Sequence, residues 1–296
     1  MDFINVQAYA KINLTLDITG TLPNGYHGLR TVMQSIKLHD DVLIKKVDKY
    51  KFKMDCDHPK LPVDERNLVH KAANYMIEKF SLQCGVFIGL KKTIPISAGL
   101  AGGSSDCAAV LCGMNTLFNL NLTTEELADI GTLFGADVPF CVNGGMTLAE
   151  GIGEVLSPLA PLPASWVLLA RPSVSVSTKN AFTQYDSIPN VKPTDYTGFF
   201  LRSLHENDIK KAALCFGNAL TQVTAASHPE IYGLIEIMKQ QGAYGASMSG
   251  SGPTVFGYFP GSIAAHAAKR AISKAMPMIR SLYVTKTVQT QAMQKN

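Results

Sequence analysis

Along residues 6–18 apolar and polar positions alternate: Ile12, Leu14, Leu16 and Ile18 share one face, and Lys11, Asn13, Thr15 and Asp17 share the other. A period of two predicts a half-buried β-strand, one face in a core and one in water. It ends at Pro23-Asn24-Gly25-Tyr26-His27-Gly28, where Asn-Gly signals a tight turn. Strands are predicted next over 31–37, 41–46 and 50–54. A helix follows over 68–80, with Val69, Ala72, Ala73, Met76, Ile77 and Phe80 on one face. A further alternating strand, 86–90, runs into a segment rich in glycine and serine, and 106–117 reads as a helix of small residues. Thr123-Thr124-Glu125-Glu126 has capping-box spacing and opens a helix that stops near Gly135. Asp137 lies just past that stop, and a strand is predicted over 146–149.

Pro158, Pro161 and Pro163 mark the boundary between two expected domains, 1–157 and 158–296. The second half carries an apolar strand over 166–170, strands over 255–259 and 282–287, and an amphipathic helix over 262–276. This is an α+β pattern, without an internal repeat.

Composition narrows the picture. With 296 residues, 46% hydrophobic and 17% charged, the chain is globular and long enough for two domains. The net charge is only +4, and the densest lysines (45, 46, 49, 51 and 53) alternate with Val47, Tyr50 and Phe52. That reads as a two-stranded ribbon with a wet face, so no nucleic-acid partner is expected, while a mild positive balance suits anionic substrates. The six cysteines form no Cys-x-x-Cys and the histidines are scattered, which argues against zinc or redox chemistry. Neither a signal segment nor an apolar run of ~18 residues occurs. A cytoplasmic protein without a membrane partner is expected.

The segment with the strongest chemistry is Pro95-Ile96-Ser97-Ala98-Gly99-Leu100-Ala101-Gly102-Gly103-Ser104-Ser105. Its glycines admit positive φ and remove Cβ atoms that would hold a phosphate away. Its serines offer hydroxyls, and the following helix offers free N–H groups and a dipole. The plainer reading is a hinge between strand and helix. No Gly-Lys pair exists, so this is not a P-loop, and Gly151-Ile152-Gly153-Glu154-Val155-Leu156 lacks the third glycine of a dinucleotide fingerprint.

Pro95, Gly99-Leu100 and Gly102-Gly103-Ser104-Ser105 resemble the nucleotide loop of the GHMP kinases, which include galactokinase, homoserine kinase and mevalonate kinase. Ala10-Lys11-Ile12-Asn13-Leu14 and Ser247-Met248-Ser249-Gly250-Ser251-Gly252-Pro253 agree in order and spacing. Gly25-Tyr26-His27 and Gly135-Ala136-Asp137-Val138-Pro139-Phe140 resemble one branch, whose acceptor is a cytidyl-linked polyol diphosphate. Two departures stand out: Tyr9 replaces a frequent proline, and Ser97, Ala98 and Ala101 replace glycines found in some members.

The resemblance implies a two-domain GHMP kinase fold. Its N-terminal domain would be like domain 2 of ribosomal protein S5 and its C-terminal domain ferredoxin-like, with ATP and acceptor meeting between them. It implies ATP and Mg2+ as cofactors, small-molecule partners, and a monomer or homodimer. Asp137, otherwise a turn residue, would orient the attacking hydroxyl and accept its proton. Lys11, otherwise a solvated strand lysine, would keep Asp137 ionised. Asn13 would hold a substrate hydroxyl. Tyr26 would stack on the cytosine and His27 would hydrogen-bond it. Phe182, otherwise a helix core residue, would sandwich the ring from the other side. Gly250, Ser251 and Gly252 would close over the substrate, and Asn67 and Lys92 would contact adenine or phosphate. Ser105 and Asp137 would lie near the metal. Alternatives are another acceptor, homoserine-like or phosphomevalonate-like, or a non-catalytic nucleotide- or RNA-binding paralogue.

Overall fold

In the computed structural model, residues 1–23, 25–47, 52–189, 193–279 and 281–289 are described. The chain begins with two long strands, β1 (Phe3–Thr21) and β2 (His27–Val47), then β3 (Phe52–Cys56), α1 (Leu68–Lys79) and β4 (Gly85–Lys91). Next come α2 (Gly102–Leu117), α3 (Thr124–Thr132), α4 (Val138–Asn143), β5 (Met146–Glu150) and β6 (Val155–Pro158). The later half contributes β7 (Trp166–Arg171), α5 (Thr178–Asp186), α6 (Tyr196–His205), α7 (Ile209–Leu214), β8 (Gly217–Asn218) and α8 (Thr221–Ser227). It closes with α9 (Glu230–Gln240), β9 (Gly245–Met248), β10 (Val255–Phe259), α10 (Ser262–Ala275) and β11 (Ser281–Lys286).

Two sheets organise these elements, and the class is α+β as expected. The larger runs β3-β4-β2-β1-β8, with β5 paired to β2 and β6 to β5. The smaller, β11-β7-β10-β9, is antiparallel throughout. A core of Val6, Ile44, Ala72, Met76, Ala109 and Met114 lies between the first sheet and helices α1 and α2. The small residues of α2 let it sit close to the sheet: a Cβ on Gly113 would overlap the Ile44 side chain.

β1 is not half-buried. Lys11, Asn13, Thr15 and Asp17 are each at most 4% exposed, as deeply buried as the apolar face. Distant segments cover them: Leu100 and Asp137 lie against Lys11, Ser249 against Asn13, and the later half against Thr15 and Asp17. β8 runs parallel to Thr15 and Leu16, the Thr15 and Thr197 hydroxyls meet at 2.8 Å, and Asp17 accepts from the Thr194 hydroxyl and the Tyr196 and Thr197 amides. Polar residues buried this way need partners, and a long-range fold supplies them where a local pattern predicts water.

The strands expected at 31–37 and 41–46 are one strand, β2. The irregularity lies in its pairing, which jumps from Tyr9↔His39 to Lys11↔Ser35, a β-bulge beside the site. The lysine-rich ribbon is also corrected. β4, apolar at Val86, Ile88 and Leu90, inserts between β2 and β3, and β3 pairs with β4 in parallel through the α1 crossover. Asn24, Lys49, Tyr50 and Lys51 lie outside the described residues. The capping box at Thr123 and Glu126 forms as expected, whereas α2 begins at Gly102 and absorbs four residues assigned to the loop.

Candidate active site

The loop between β4 and α2 is held in an unusual conformation. Ser97, Gly99 and Ala101 take positive φ values of 51°, 73° and 56°. Two of these are not glycine, and the left-handed region costs an L-residue about 1–2 kcal/mol. They are also two of the positions where the sequence departs from the glycines of the family pattern. Tertiary bonds hold the turn: the Lys11 amide donates to the Leu100 carbonyl at 3.1 Å, and the Ser249 hydroxyl donates to the Gly99 carbonyl at 2.8 Å. The fold then aims the start of α2, where Gly102, Gly103 and Ser104 have N–H groups with no acceptor in their own helix.

This loop is a wall between two cavities. One, of about 350 Å³, is lined by Asn67, Lys92, Pro95, Ile96, Gly103 and Ser104 among others. The second, of about 380 Å³, is lined by Lys11, Asn13, Tyr26, His27, Asp137 and Phe182 among others. Gly99, Ala101 and Ser104 line both. An anion cradled on the loop in the first cavity therefore has its end at the mouth of the second.

On the second side stands a charged pair. The Lys11 ammonium lies 3.4 Å from the Asp137 carboxylate and donates to the Asn13 side-chain carbonyl at 2.7 Å. Asp137 is the N-cap residue of α4, a short helix with Pro139 in its first turn that the sequence pattern did not reveal. Asn13 in turn donates to the Thr31 hydroxyl at 2.9 Å. Unit charges 3.4 Å apart attract by ~5 kcal/mol at an effective dielectric near 20. The solvent reaching Asp137, whose side chain is 37% exposed, reduces that figure. The arrangement can hold a hydroxyl between an ionised carboxylate and an ammonium.

Comparison with known proteins agrees with this geometry. The GHMP kinases N terminal domain matches residues 67–145, and the GHMP kinases C terminal domain matches residues 200–277. A 4-diphosphocytidyl-2-C-methyl-D-erythritol kinase of Lachnoclostridium phytofermentans is 42% identical over 268 residues, 90% of this chain and 92% of the relative. The enzyme of the same name from Clostridioides difficile is 43% identical over 88% of each chain. The chain belongs to the 4-diphosphocytidyl-2-C-methyl-D-erythritol kinases. A crystal structure of 4-(cytidine 5'-diphospho)-2C-methyl-D-erythritol kinase superposes with a TM-score of 0.80 at 29% identity, covering 96% of this chain and 98% of that one. Homoserine kinase from Cytophaga hutchinsonii shares the fold alone, with a TM-score of 0.78 at 21% identity over 99% and 98%. The two-domain GHMP fold is thereby established for this kinase.

Several expected residues are committed to other partners. Asn67 is the N-cap of α1: its side chain accepts from the Val69 amide and donates to the Pro62 carbonyl. Lys92 lines the first cavity, but its ammonium is clamped between Asp40 and Asp106. Two buried carboxylates sharing one ammonium cannot both ionise cheaply, and burial drives the Asp106 carboxyl well above the ordinary range. Ser105 is fully buried and donates to the Tyr9 carbonyl at 2.6 Å, so its hydroxyl faces β1. Ser104, one residue earlier, lines both cavities instead.

At the far end of the second cavity, His27 stacks on Phe182 with ring centroids 4.7 Å apart and 19° between planes. Its Nε2 pairs with Asp186 at 2.7 Å. Phe182 thus packs on His27 itself, while Tyr26, 62% exposed, also lines the cavity. Phe182 also packs against the core of the second half, as its helix-core reading has it. Gly250 and Ser251 line the cavity from the later half, and Gly252 precedes Pro253 in the same loop. Sequence reasoning gave no role to Ser249, although it lies in the block read at 247–253, and missed Asp186 and Asn218, since single polar residues carry no local signal.

Proposed function

We propose that this kinase transfers the γ-phosphoryl group of ATP to the 2-hydroxyl of 4-diphosphocytidyl-2-C-methyl-D-erythritol, in the non-mevalonate route to isoprenoid precursors. The observation that carries the reading is the shared wall of the two cavities, with Lys11 and Asp137 on the acceptor side. ATP lies in the first cavity with its phosphates on the N–H groups of Gly102, Gly103 and Ser104. The acceptor enters the second, its cytosine towards Tyr26, His27 and Phe182 and its polyol towards Asn13 and Asp137.

Asp137 accepts a hydrogen bond from the attacking hydroxyl and takes its proton late, because phosphoryl transfer has a loose transition state. Lys11 pairs with Asp137 and steadies the attacking oxygen. The proton passes to Asp137 Oδ2 while the bond between the γ-phosphorus and its bridging oxygen breaks and ADP leaves. Magnesium fits this site: Ser104 and Asp137 offer hard oxygens beside the phosphates, and Mg2+ takes few protein ligands. Bound there, it would neutralise charge between the β- and γ-phosphates. Among the described residues no cluster of three or more His, Cys, Asp or Glu side chains adds a further metal cage.

A homoserine or phosphomevalonate acceptor carries no base for the His27–Phe182 end, and an RNA-binding role gives Lys11 and Asp137 no task. The division at residues 157 and 158 and a cytoplasmic location belong to this reading. Among the described residues no helix is long and apolar enough to cross a membrane. The test is phosphorus NMR of the protein with Mg-ATP and the cytidyl substrate. A new phosphomonoester signal growing with ADP is expected, and Asp137→Asn should slow it at least ~10²-fold. No product from wild-type protein that still binds ATP would overturn the acceptor.

A further inference from the structure

Gly250, Ser251 and Leu220 line the acceptor cavity together with Lys11. The Gly250–Ser251 segment has no strand of its own, since β9 ends at Met248 and β10 begins at Val255. Gly250 turns there with φ of 57°. One side chain gathers the pieces. The Asn218 amide nitrogen donates to the Met248 carbonyl at 2.9 Å and to the Gly250 carbonyl at 2.7 Å. Its carbonyl accepts from the Leu220 amide at 2.8 Å.

Asn218 is anchored in turn to the strand that bears Lys11 and Asn13. Its backbone pairs with Leu16, and the following Ala219 amide donates to the Leu16 carbonyl at 2.9 Å. Asn218 is 4% exposed and does not line the acceptor cavity. A second tether comes from α8, where the Thr224 hydroxyl donates to the Ser251 carbonyl at 3.2 Å. Two donors and one acceptor on a short stem are what asparagine offers: aspartate lacks the donors and glutamine is a methylene longer.

We propose that Asn218 is a positioning residue for the acceptor, setting the distance between the Gly250–Ser251 loop and the Lys11–Asn13 strand. The proposal rests on the reading that the second cavity takes the acceptor. Replacing the amide by a carboxylate of the same shape turns two attractive contacts with carbonyls into repulsive ones, so the loop should lift from the cavity while the nucleotide side stays in place.

The test is steady-state kinetics of Asn218→Asp on the full chain with Mg-ATP and the cytidyl substrate. A rise of at least ~10-fold in acceptor KM is expected, the cost of stranding a buried carbonyl, with ATP KM within about twofold of wild type. If Asn218→Asp does not fold, Asn218→Ala is read the same way. Thr224→Val should shift acceptor KM in the same direction by a smaller factor. An unchanged acceptor KM, or both KM values rising together, would overturn the proposal. Asp137→Asn run in parallel separates the two claims. If it lowers kcat while the Asn218 variants leave acceptor KM unmoved, only the positioning role falls. If Asp137→Asn is silent as well, the acceptor-site reading falls and the proposal with it.

Discussion

Ser249 reaches across the cleft to Gly99, donating its buried hydroxyl to the Gly99 carbonyl at 2.8 Å while accepting from the Asn13 amide at 3.1 Å. One hydroxyl thus joins the glycine-rich loop before α2, strand β1 and the loop between β9 and β10. Ser249→Ala strands a carbonyl and an amide in a buried place, each costing about 1–3 kcal/mol. We expect a loss of roughly 2–4 kcal/mol in denaturant unfolding and a lower kcat. A midpoint unchanged from wild type would show that water replaces the hydroxyl.

Two glycines of the loop should respond in opposite ways. At Gly99, φ is +73° and a Cβ would overlap the Ser249 carbonyl, a backbone atom that cannot swing aside. Gly99→Ala should therefore reduce both stability and kcat/KM for ATP. At Gly103 a Cβ meets nothing within 4 Å, because it projects into open space beside the cradle. Gly103→Ala should keep or gain stability, up to ~1 kcal/mol from helix propensity, yet raise ATP KM. Thermal melts and ATP titrations of the pair distinguish the outcomes.

Asp106 makes a prediction in pH. Burial beside Asp40 raises its carboxyl well above the ordinary 3.8, with Lys92 offsetting part of the rise. The native state then holds a proton that the unfolded chain has released, so stability falls as pH rises from near 3.8 through the folded value. Asp106→Asn keeps the neutral shape and removes that slope. Its stability profile should be flatter than wild type, with the gain on the alkaline side, as measured by urea unfolding across pH. A variant destabilised throughout would mean that Asp106 is ionised against Lys92.

Tyr26 stands at the rim of the acceptor cavity beside the His27–Phe182 stack. A base stacked on one aromatic is worth ~1–3 kcal/mol, so Tyr26→Ala should raise acceptor KM by about 5- to 100-fold and leave ATP KM alone. Equal shifts in both constants would remove cytosine from this end of the cavity.

The sequence was most legible where the physics is local. The strand at β1, the capping box of α3 and the helix at α2 each depend on neighbours in the chain, and each forms where the pattern predicts it, α2 starting four residues early. It was least legible where burial comes from afar. Thr15 and Asp17 look like a wet face until residues 194–218 fold over them, and Lys11 and Asn13 until Leu100, Asp137 and Ser249 do. The Lys11–Asp137 pair came from resemblance rather than pattern, as nothing between positions 11 and 137 announces it. Lys92 was expected to face ATP, but its neighbours in space, Asp40 and Asp106, stand 52 and 14 positions away. Ser97 and Ala101 looked like minor departures and turn out to be left-handed residues held by tertiary bonds.

The parallel pairing of Thr15 and Leu16 with Gly217 and Asn218 also sets an order of events during synthesis. Those partners are separated by about 200 residues, and at ~5–20 residues per second the ribosome needs about 10–40 s to deliver the second after the first. Until then β1 has its outer edge unpaired at Thr15 and Leu16, a template for wrong neighbours. The nascent chain leaves this short seam at Thr15 and Leu16 open until the late arrival of β8 closes it.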